Sequence, residues 1–242
     1  MQLLCQVSPE VLELEADVLD AKPGAVLLAQ TPAFPGGGGQ LPDTASIHWS
    51  NGEALVRTMV PDERGWWHEF ENGAEISGRV RVSVNPAFRR LMCELHTLAH
   101  ITNSVVFQNF GGALLTGAQL SADGTFRIDF DLTGSDADRL RALAGPINDV
   151  IRQDLPIRAF QMPWDEAQSV PGLFRSKTVS PPRRADGNVR IVEIGALDRQ
   201  ACGGTHLGST AQTRPVRILK VENKGRQNRR IRVGFVDSVV AP

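Results

Sequence analysis

In the stretch RQACGGTHLGS, residues 199–209, a cysteine and a histidine stand four positions apart with two glycines and a threonine between them. A thiolate and an imidazole on so tight a loop make half of a site for a borderline-soft ion such as Zn2+. The glycines at 203 and 204 let the loop fold back so that both side chains reach one point. The other half stands in HTLAH, where His96 and His100 are again four apart. On a helix that spacing aims both imidazoles the same way, about 6 Å apart. Alone, two histidines so spaced are more often unrelated surface or core residues. Cys202 and His206 change that balance, because the four together complete a Cys/His3 set. Zinc proteases of the HExxH kind carry a glutamate after the first histidine. Here that position is Thr97, so their general base is missing.

Only tertiary structure can join two motifs so far apart in the chain, so the surrounding elements matter. The chain has 242 residues, 41% apolar and 22% charged, enough for one large domain or two small ones with a real core. No apolar run approaches the ~20 residues of a membrane span, and the opening MQLLCQVSPE lacks the pattern of a signal peptide. A cytoplasmic address and no membrane partner are the expectation. Cys5, Cys93 and Cys202 are too few and scattered for a disulfide framework, which fits thiols that serve metals.

The net charge of −1 conceals an asymmetry. Residues 1–85 hold 5 Lys/Arg against 12 Asp/Glu, a net of −7, whereas residues 86–242 hold 21 against 15, a net of +6. An anionic partner would prefer the second part. Within it, residues 214–232 hold eight basic side chains and one acid, Glu222, which reads either as a solvated strand pair or as a nucleic-acid surface.

Residues 1–85 are dense in turn signals, among them Asn51-Gly52 and Asn72-Gly73, separating short runs that read as a small antiparallel β barrel or sandwich. RVRVSV, residues 79–84, alternates strictly and is the clearest strand. At Asn85-Pro86 a helix cap and a first-turn proline mark the boundary of a second domain, 86–242. From 86 to about 110 the pattern is helical, with Leu91, Leu95, Leu98, Thr102 and Val105 as an apolar stripe and the two histidines beside it. Strands are expected at 113–120 and 125–131. A second helix follows, capped by Ser135, with Leu140, Leu143, Ile147, Val150 and Ile151 on one face and a kink or break at Gly145-Pro146. Strands at 156–162, 188–194 and two after Thr213, hinged at Lys224-Gly225, complete an α+β fold of helices on an antiparallel sheet. Trp66-Trp67, on the acidic domain, reads as packed core rather than as a stacking platform for bases, and His48 and His68 match no site.

Taken in order, five motifs carry a family resemblance: Phe34-Pro-Gly-Gly-Gly-Gly-Gln40 with Asp43, His96-xxx-His100, Phe126-Arg-Ile-Asp-Phe130, Cys202-Gly-Gly-Thr-His206 and Asn223-Lys-Gly-Arg-Gln-Asn-Arg-Arg230. The chain resembles the editing domain shared by alanyl- and threonyl-tRNA synthetases, and in particular the freestanding alanyl-tRNA editing proteins called AlaX. The matches run from about residue 30 to the C-terminus.

That resemblance implies one zinc ion held by His96, His100, Cys202 and His206, tRNA as partner, and hydrolysis of alanine tRNA wrongly charged with serine or glycine. It implies no adenylation domain. It makes the loop of Gly37, Gly38 and Gly39 a substrate-side element, with Gln40 and Asp43 as its polar groups in the editing pocket. It puts Thr116, or its rival Gln119, where a serine hydroxyl would be read, and Arg127, Asp129 and Asp198 where they would orient other groups. Arg226, Arg229 and Arg230 are the expected contacts to tRNA. Ala33-Phe34 departs from the usual aromatic pair ending in tyrosine, and the chain has no tyrosine at all. A catalytically inactive, zinc-stabilised tRNA-binding adaptor is the competing function.

Overall fold

A computed structural model describes residues 3–71, 73–133, 137–177 and 186–237. Asn72 of the expected Asn72-Gly73 turn and Ser135, the expected cap of the second helix, lie outside the described residues. The fold is α+β with antiparallel sheets, and the chain divides into two compact units. One comprises Met1–Gly37 and Leu41–Arg90, the other Gly38–Gln40 and Leu91–Pro242. The division falls within the first long helix, a few residues beyond Asn85-Pro86, and assigns three residues of the glycine-rich loop to the second unit.

The first unit holds β1 (Glu13–Lys22), β2 (Ala25–Leu28), β3 (Ala45–Trp49), β4 (Gly52–Leu55), β5 (Thr58–Pro61), β6 (Trp66–Glu69) and β7 (Arg79–Val84), hydrogen-bonded in the order β4-β3-β7-β1-β2-β6-β5. In β7 the strict alternation buries Val80, Val82 and Val84. Val80 lies opposite Ala16 of β1, and both pack on Val26, Leu28 and Ile47. Each fully buried valine or isoleucine there contributes on the order of 1.5–3 kcal/mol. Trp66 packs partly buried against Phe34 and Met59, and Trp67 lies under the Lys22 ammonium, 4.7 Å from its ring centroid. His68 is wholly buried, between Trp66 O and Thr31 Oγ1 at 2.9 Å each.

Helix α1 (Pro86–Asn109) starts as its sequence dictates, with Asn85 Oδ1 accepting from Phe88 N and Pro86 in the first turn, where no donor is needed. The expected single apolar stripe understates it. Every residue from 92 to 106 is buried, so the side that carries Glu94, His96, Thr97, His100, Asn103 and Ser104 is covered as well as the apolar side. A buried polar face needs partners on the elements above it. Those elements are β8 (Leu115–Leu120), β9 (Thr125–Asp131), α2 (Ala137–Arg141), α3 (Ala144–Arg152), β10 (Ile157–Pro163), α4 (Trp164–Ser169), β11 (Asn188–Ile194), β12 (Asp198–Ala201), β13 (Val216–Asn223) and β14 (Asn228–Phe235). They form a four-stranded sheet, β13-β14-β9-β8, and a three-stranded sheet, β10-β11-β12.

The expected second helix is two, α2 and α3, broken around Ala142-Leu143 so that Pro146 falls in the first turn of α3, where its missing N–H leaves no bond unmade. In the four-stranded sheet Phe126, Ile128 and Phe130 of β9 point into the core while Arg127 and Asp129 share the opposite face.

Burial pushes the His68 imidazole down to about 4 from an ordinary 6.5, so it is neutral when folded. The unfolded chain takes up a proton as pH falls through 6.5, and the folded one only near 4. Stability from this residue is therefore complete above pH 6.5 and lost by up to about 3 kcal/mol as pH falls to 4. Urea titrations followed by tryptophan fluorescence should show that decline in the wild-type protein and a flatter profile over the same window in His68→Gln.

Candidate metal centre

Four side chains from two places converge in the second unit. His96 and His100 come from α1, and Cys202 and His206 from the loop that follows β12. All four are buried, and their potential ligand atoms lie within 4.8 Å of one another. Cys202 Sγ is 3.5 Å from His96 Nε2 and 3.3 Å from His206 Nε2. The ring centroids are 4.5 to 5.3 Å apart.

What fixes the rings is the nitrogen that faces away. His96 Nδ1 lies 2.7 Å from Gln40 Oε1, which also accepts from Thr205 N at 3.0 Å. A backbone N–H can only donate, so the amide oxygen must be on that side, and His96 must carry its proton on Nδ1. His100 Nδ1 lies 3.0 Å from Asp198 Oδ2, and an ionised carboxylate only accepts. His206 Nδ1 faces Thr97 Oγ1 at 3.4 Å. Each ring thus has its Nδ1 engaged by a neighbour, which leaves Nε2 and its lone pair for the centre.

The supports are themselves supported. Asp198 accepts from Ser104 Oγ at 2.6 Å and from Gln200 Nε2, and Arg175 Nη1 lies 3.1 Å away. Gln40 Nε2 donates to Thr205 Oγ1 at 2.8 Å, and Arg190 Nη1 donates to Cys202 O and Gly204 O. At Gly204 a Cβ would lie 2.0 Å from His96 Cε1, so only glycine passes there.

Burial pushes the Cys202 thiol up, but the three imidazoles facing it prevail and hold it well below the usual thiol range. Burial likewise opposes ionisation of Asp198, and the hydrogen bond from His100 prevails there, keeping the carboxyl below its ordinary value. His206 is pushed down to about 3 by burial and by His96. Burial acts against charge on His100, yet the Cys202 thiolate and Asp198 carboxylate raise it to about 10, so a metal ion bound at Nε2 would displace a proton there. Two buried anions beside three imidazoles call for positive charge at the centre, and the donor set fits a metal ion that accepts both nitrogen and thiolate.

The other expected site residues are distributed as follows. Gly38, Gly39 and Gln40 belong to the unit that holds the cluster. Gly39, at φ +89°, accepts from Leu120 N at 2.8 Å through its carbonyl, and a Cβ there would lie 2.5 Å from Ala118 O. Gly37, at φ +123°, and Asp43 belong to the other unit. Asp43 is buried, accepting from Phe34 N and pairing with the Arg89 guanidinium. Thr116 Oγ1 donates to Asn228 Oδ1 at 3.2 Å, and Gln119 Nε2 to Leu120 O. Asp129 is held between Arg127 and Arg230, the latter through two bonds of 2.7 and 2.8 Å. Arg229 binds the carbonyls of Gly225 and Asn228, and Arg226 is exposed.

Sequence reasoning missed Thr97, Ser104, Arg175, Gln200 and Thr205. One signal was available: Asp198, Gln200 and Cys202 alternate, so a short strand there puts all three on one side.

A family model described as the second additional domain of threonyl and alanyl tRNA synthetases matches residues 189–232, a span that carries Cys202 and His206 but not the two histidines of α1. An alanyl-tRNA editing protein AlaX-M of Saccharolobus solfataricus is 31% identical over 227 residues, covering 91% of this chain and 93% of that protein. Another AlaX-M, of Methanosarcina barkeri, is 32% identical over 220 residues, covering 88% and 89%. The chain belongs to the AlaX-M family of alanyl-tRNA editing proteins. Membership makes it an editing enzyme. The alanine-tRNA ligase of Korarchaeum cryptofilum is 28% identical over 225 residues, which are 90% of this chain and 24% of the ligase. This chain thus matches about a quarter of that ligase. Among the described residues no helix is long and apolar enough to cross a membrane.

Two substitutions probe the supports of the centre. Asp198→Asn keeps the shape but removes the carboxylate, and should weaken metal binding by about 10- to 100-fold in competition with a chromophoric chelator. Gly204→Ala should drive His96 aside and leave the purified protein with a small fraction of the wild-type metal content by elemental analysis.

Proposed function

We propose that this chain is a zinc-dependent deacylase that acts in trans on alanine tRNA mischarged with serine or glycine. The observation that carries the reading is the set of three imidazoles, each engaged at Nδ1 and each offering Nε2 beside the Cys202 sulfur. Three nitrogens and one thiolate in a buried cluster suit zinc better than a hard, oxygen-seeking cation. When bound, zinc would supply Lewis acidity toward an ester that is already activated.

The remaining work falls to the chain. Gln40, Asp198 and Thr97 hold the histidine rings in one orientation. Glycines 38 and 39, without side chains, let the backbone come close to a 3′ adenosine and hold it by position. Thr116 is the candidate reader of the serine hydroxyl and Gln119 its rival, a site built to bond a hydroxyl being a better judge than one of size. Arg229 and Arg230, on the strand pair, and Arg226, on the turn that joins it, would face the tRNA.

The decisive assay is deacylation of alanine tRNA charged with serine, glycine or alanine, with and without a chelator. Serine and glycine should be released and alanine spared, and both the chelator and Cys202→Ala should abolish release. Binding of all three tRNAs with no hydrolysis would identify an inactive adaptor instead. In the same assay Thr116→Val should cost about 1–3 kcal/mol on the serine substrate and leave glycine almost unchanged. Equal losses on both would mean structural damage, and no loss on either would transfer the role to Gln119.

A further inference from the structure

Residues 172–177 follow α4 and belong to no helix or strand of their own, yet they touch three elements that build the metal centre. Leu173 O accepts from Ala201 N at 3.0 Å, one residue before Cys202. Arg175 O accepts from Leu115 N at 2.9 Å, and Lys177 N donates to Leu115 O at 2.8 Å, so Ser176 runs parallel to Leu115. The segment is thus pinned between the last residue of β12 and the first of β8. From there the Arg175 side chain reaches α1 at Ser104 and Phe107, four and seven residues after His100 and on its side of the helix. Its guanidinium carbon lies 4.4 Å from the centroid of the Phe107 ring, and Nε donates to Gly172 O at 3.0 Å. Nη1 donates to Ser104 Oγ at 3.0 Å and lies 3.1 Å from Asp198 Oδ1. Ser104 Oγ donates to that same carboxylate oxygen at 2.6 Å. The arginine side chain is 12% exposed and the carboxylate not at all.

Asp198 therefore draws donors from His100 Nδ1, Ser104 Oγ, Gln200 Nε2 and Arg175 Nη1. A hydroxyl and an amide are neutral, and an imidazole that gives Nε2 to a metal while its Nδ1–H faces a carboxylate carries no charge of its own. Arg175 is then the one cation in contact with a buried carboxylate, and a buried charge that loses its partner is strongly disfavoured. The two oxygens divide the work. Oδ1 is held by Arg175 and Ser104, which leaves Oδ2 turned to His100. We propose that Arg175 is a positioning residue for the metal centre, acting on His100 through the charge and the plane of Asp198, a role that rests on the zinc part of the deacylase reading. The backbone of the same residue holds Leu115, next to Thr116. One short segment thereby sets both a support of the metal and the start of the strand that carries the candidate hydroxyl reader.

The test is a double-mutant cycle on the full chain, stripped of metal and titrated with zinc against a chromophoric chelator. Arg175→Met keeps much of the volume and the contact with Phe107 but removes the charge, and should weaken zinc binding about tenfold, the lower end of what supports behind a ligand contribute. Arg175→Lys keeps the charge and should recover most of that loss. In an Asp198→Asn background Arg175→Met should change affinity by less than about twofold, because an amide needs no counter-ion and residues that act through one another do not add. Equal losses in the two backgrounds would mean damage that bypasses Asp198 and would overturn the proposal. A loss in Arg175→Lys as large as in Arg175→Met would overturn it too, since packing rather than charge would then be at work. Should Arg175→Met fail to fold by circular dichroism, Arg175→Gln takes its place in the same cycle with the same expected outcomes. If wild type binds zinc and the charge-removing variant binds it as tightly, the Arg175 assignment alone fails. If wild type takes up no zinc, the zinc reading fails and this role with it.

Discussion

A histidine can give a metal only one of its two nitrogens, and the other must be told which it is. In this protein that instruction comes from three different elements: an amide on the glycine-rich loop, a carboxylate on β12 and a hydroxyl on α1 itself. Meeting the requirement inside the protein explains much of the second unit. It is why α1 is buried on its polar side, since the histidines and their supports must be shielded together. It is why the loop after β12 is pinned by Arg190 at two carbonyls and by Gln40 at Thr205. A short strand, a loop and a helix are locked by bonds whose purpose is the direction of lone pairs.

The four-stranded sheet separates two tasks by the alternation of its strands. One face of β9 gives Phe126, Ile128 and Phe130 to the core, and the other carries Arg127 and Asp129. Since Arg230 lies opposite Asp129 in register, the pair is a product of strand pairing and would form whatever the partner of the sheet. Counting cations in residues 214–232 therefore overstates the charge available for binding. The hairpin turn, where strand pairing ends, carries Lys224 and Arg226.

The four candidate ligands were legible because their spacing is local on a helix and on a loop, and the chemistry of the residue types narrows the ion. The strand RVRVSV and the start of α1 at Asn85-Pro86 were legible for the same reason, alternation and capping being short-range. Strand β12 went unread, because the alternation of Asp198, Gln200 and Cys202 is the one signal in a run of four residues between turns. The burial of α1 on every side was hidden too, since Glu94, Asn103 and Ser104 look like a solvated face until their partners on distant segments are known. Gln40 was visible as a polar group of the glycine-rich loop. Its bond to His96 depends on that loop meeting α1 and the Cys202 loop, and such long-range meetings leave no trace in composition or period.

Gly204 has a further bearing on how such a sequence can change over generations. Any single-base change in a glycine codon that alters the amino acid introduces a Cβ, and at this position the Cβ meets the His96 ring at 2.0 Å. No one-step replacement is sterically silent. At Gly208, in the same loop, a Cβ would meet only Gln212 Oε1, at 3.9 Å. Drift in this loop is thus open at Gly208 and closed at Gly204, so a lineage that lost this glycine would lose the His96 position before it lost any of the four candidate ligands.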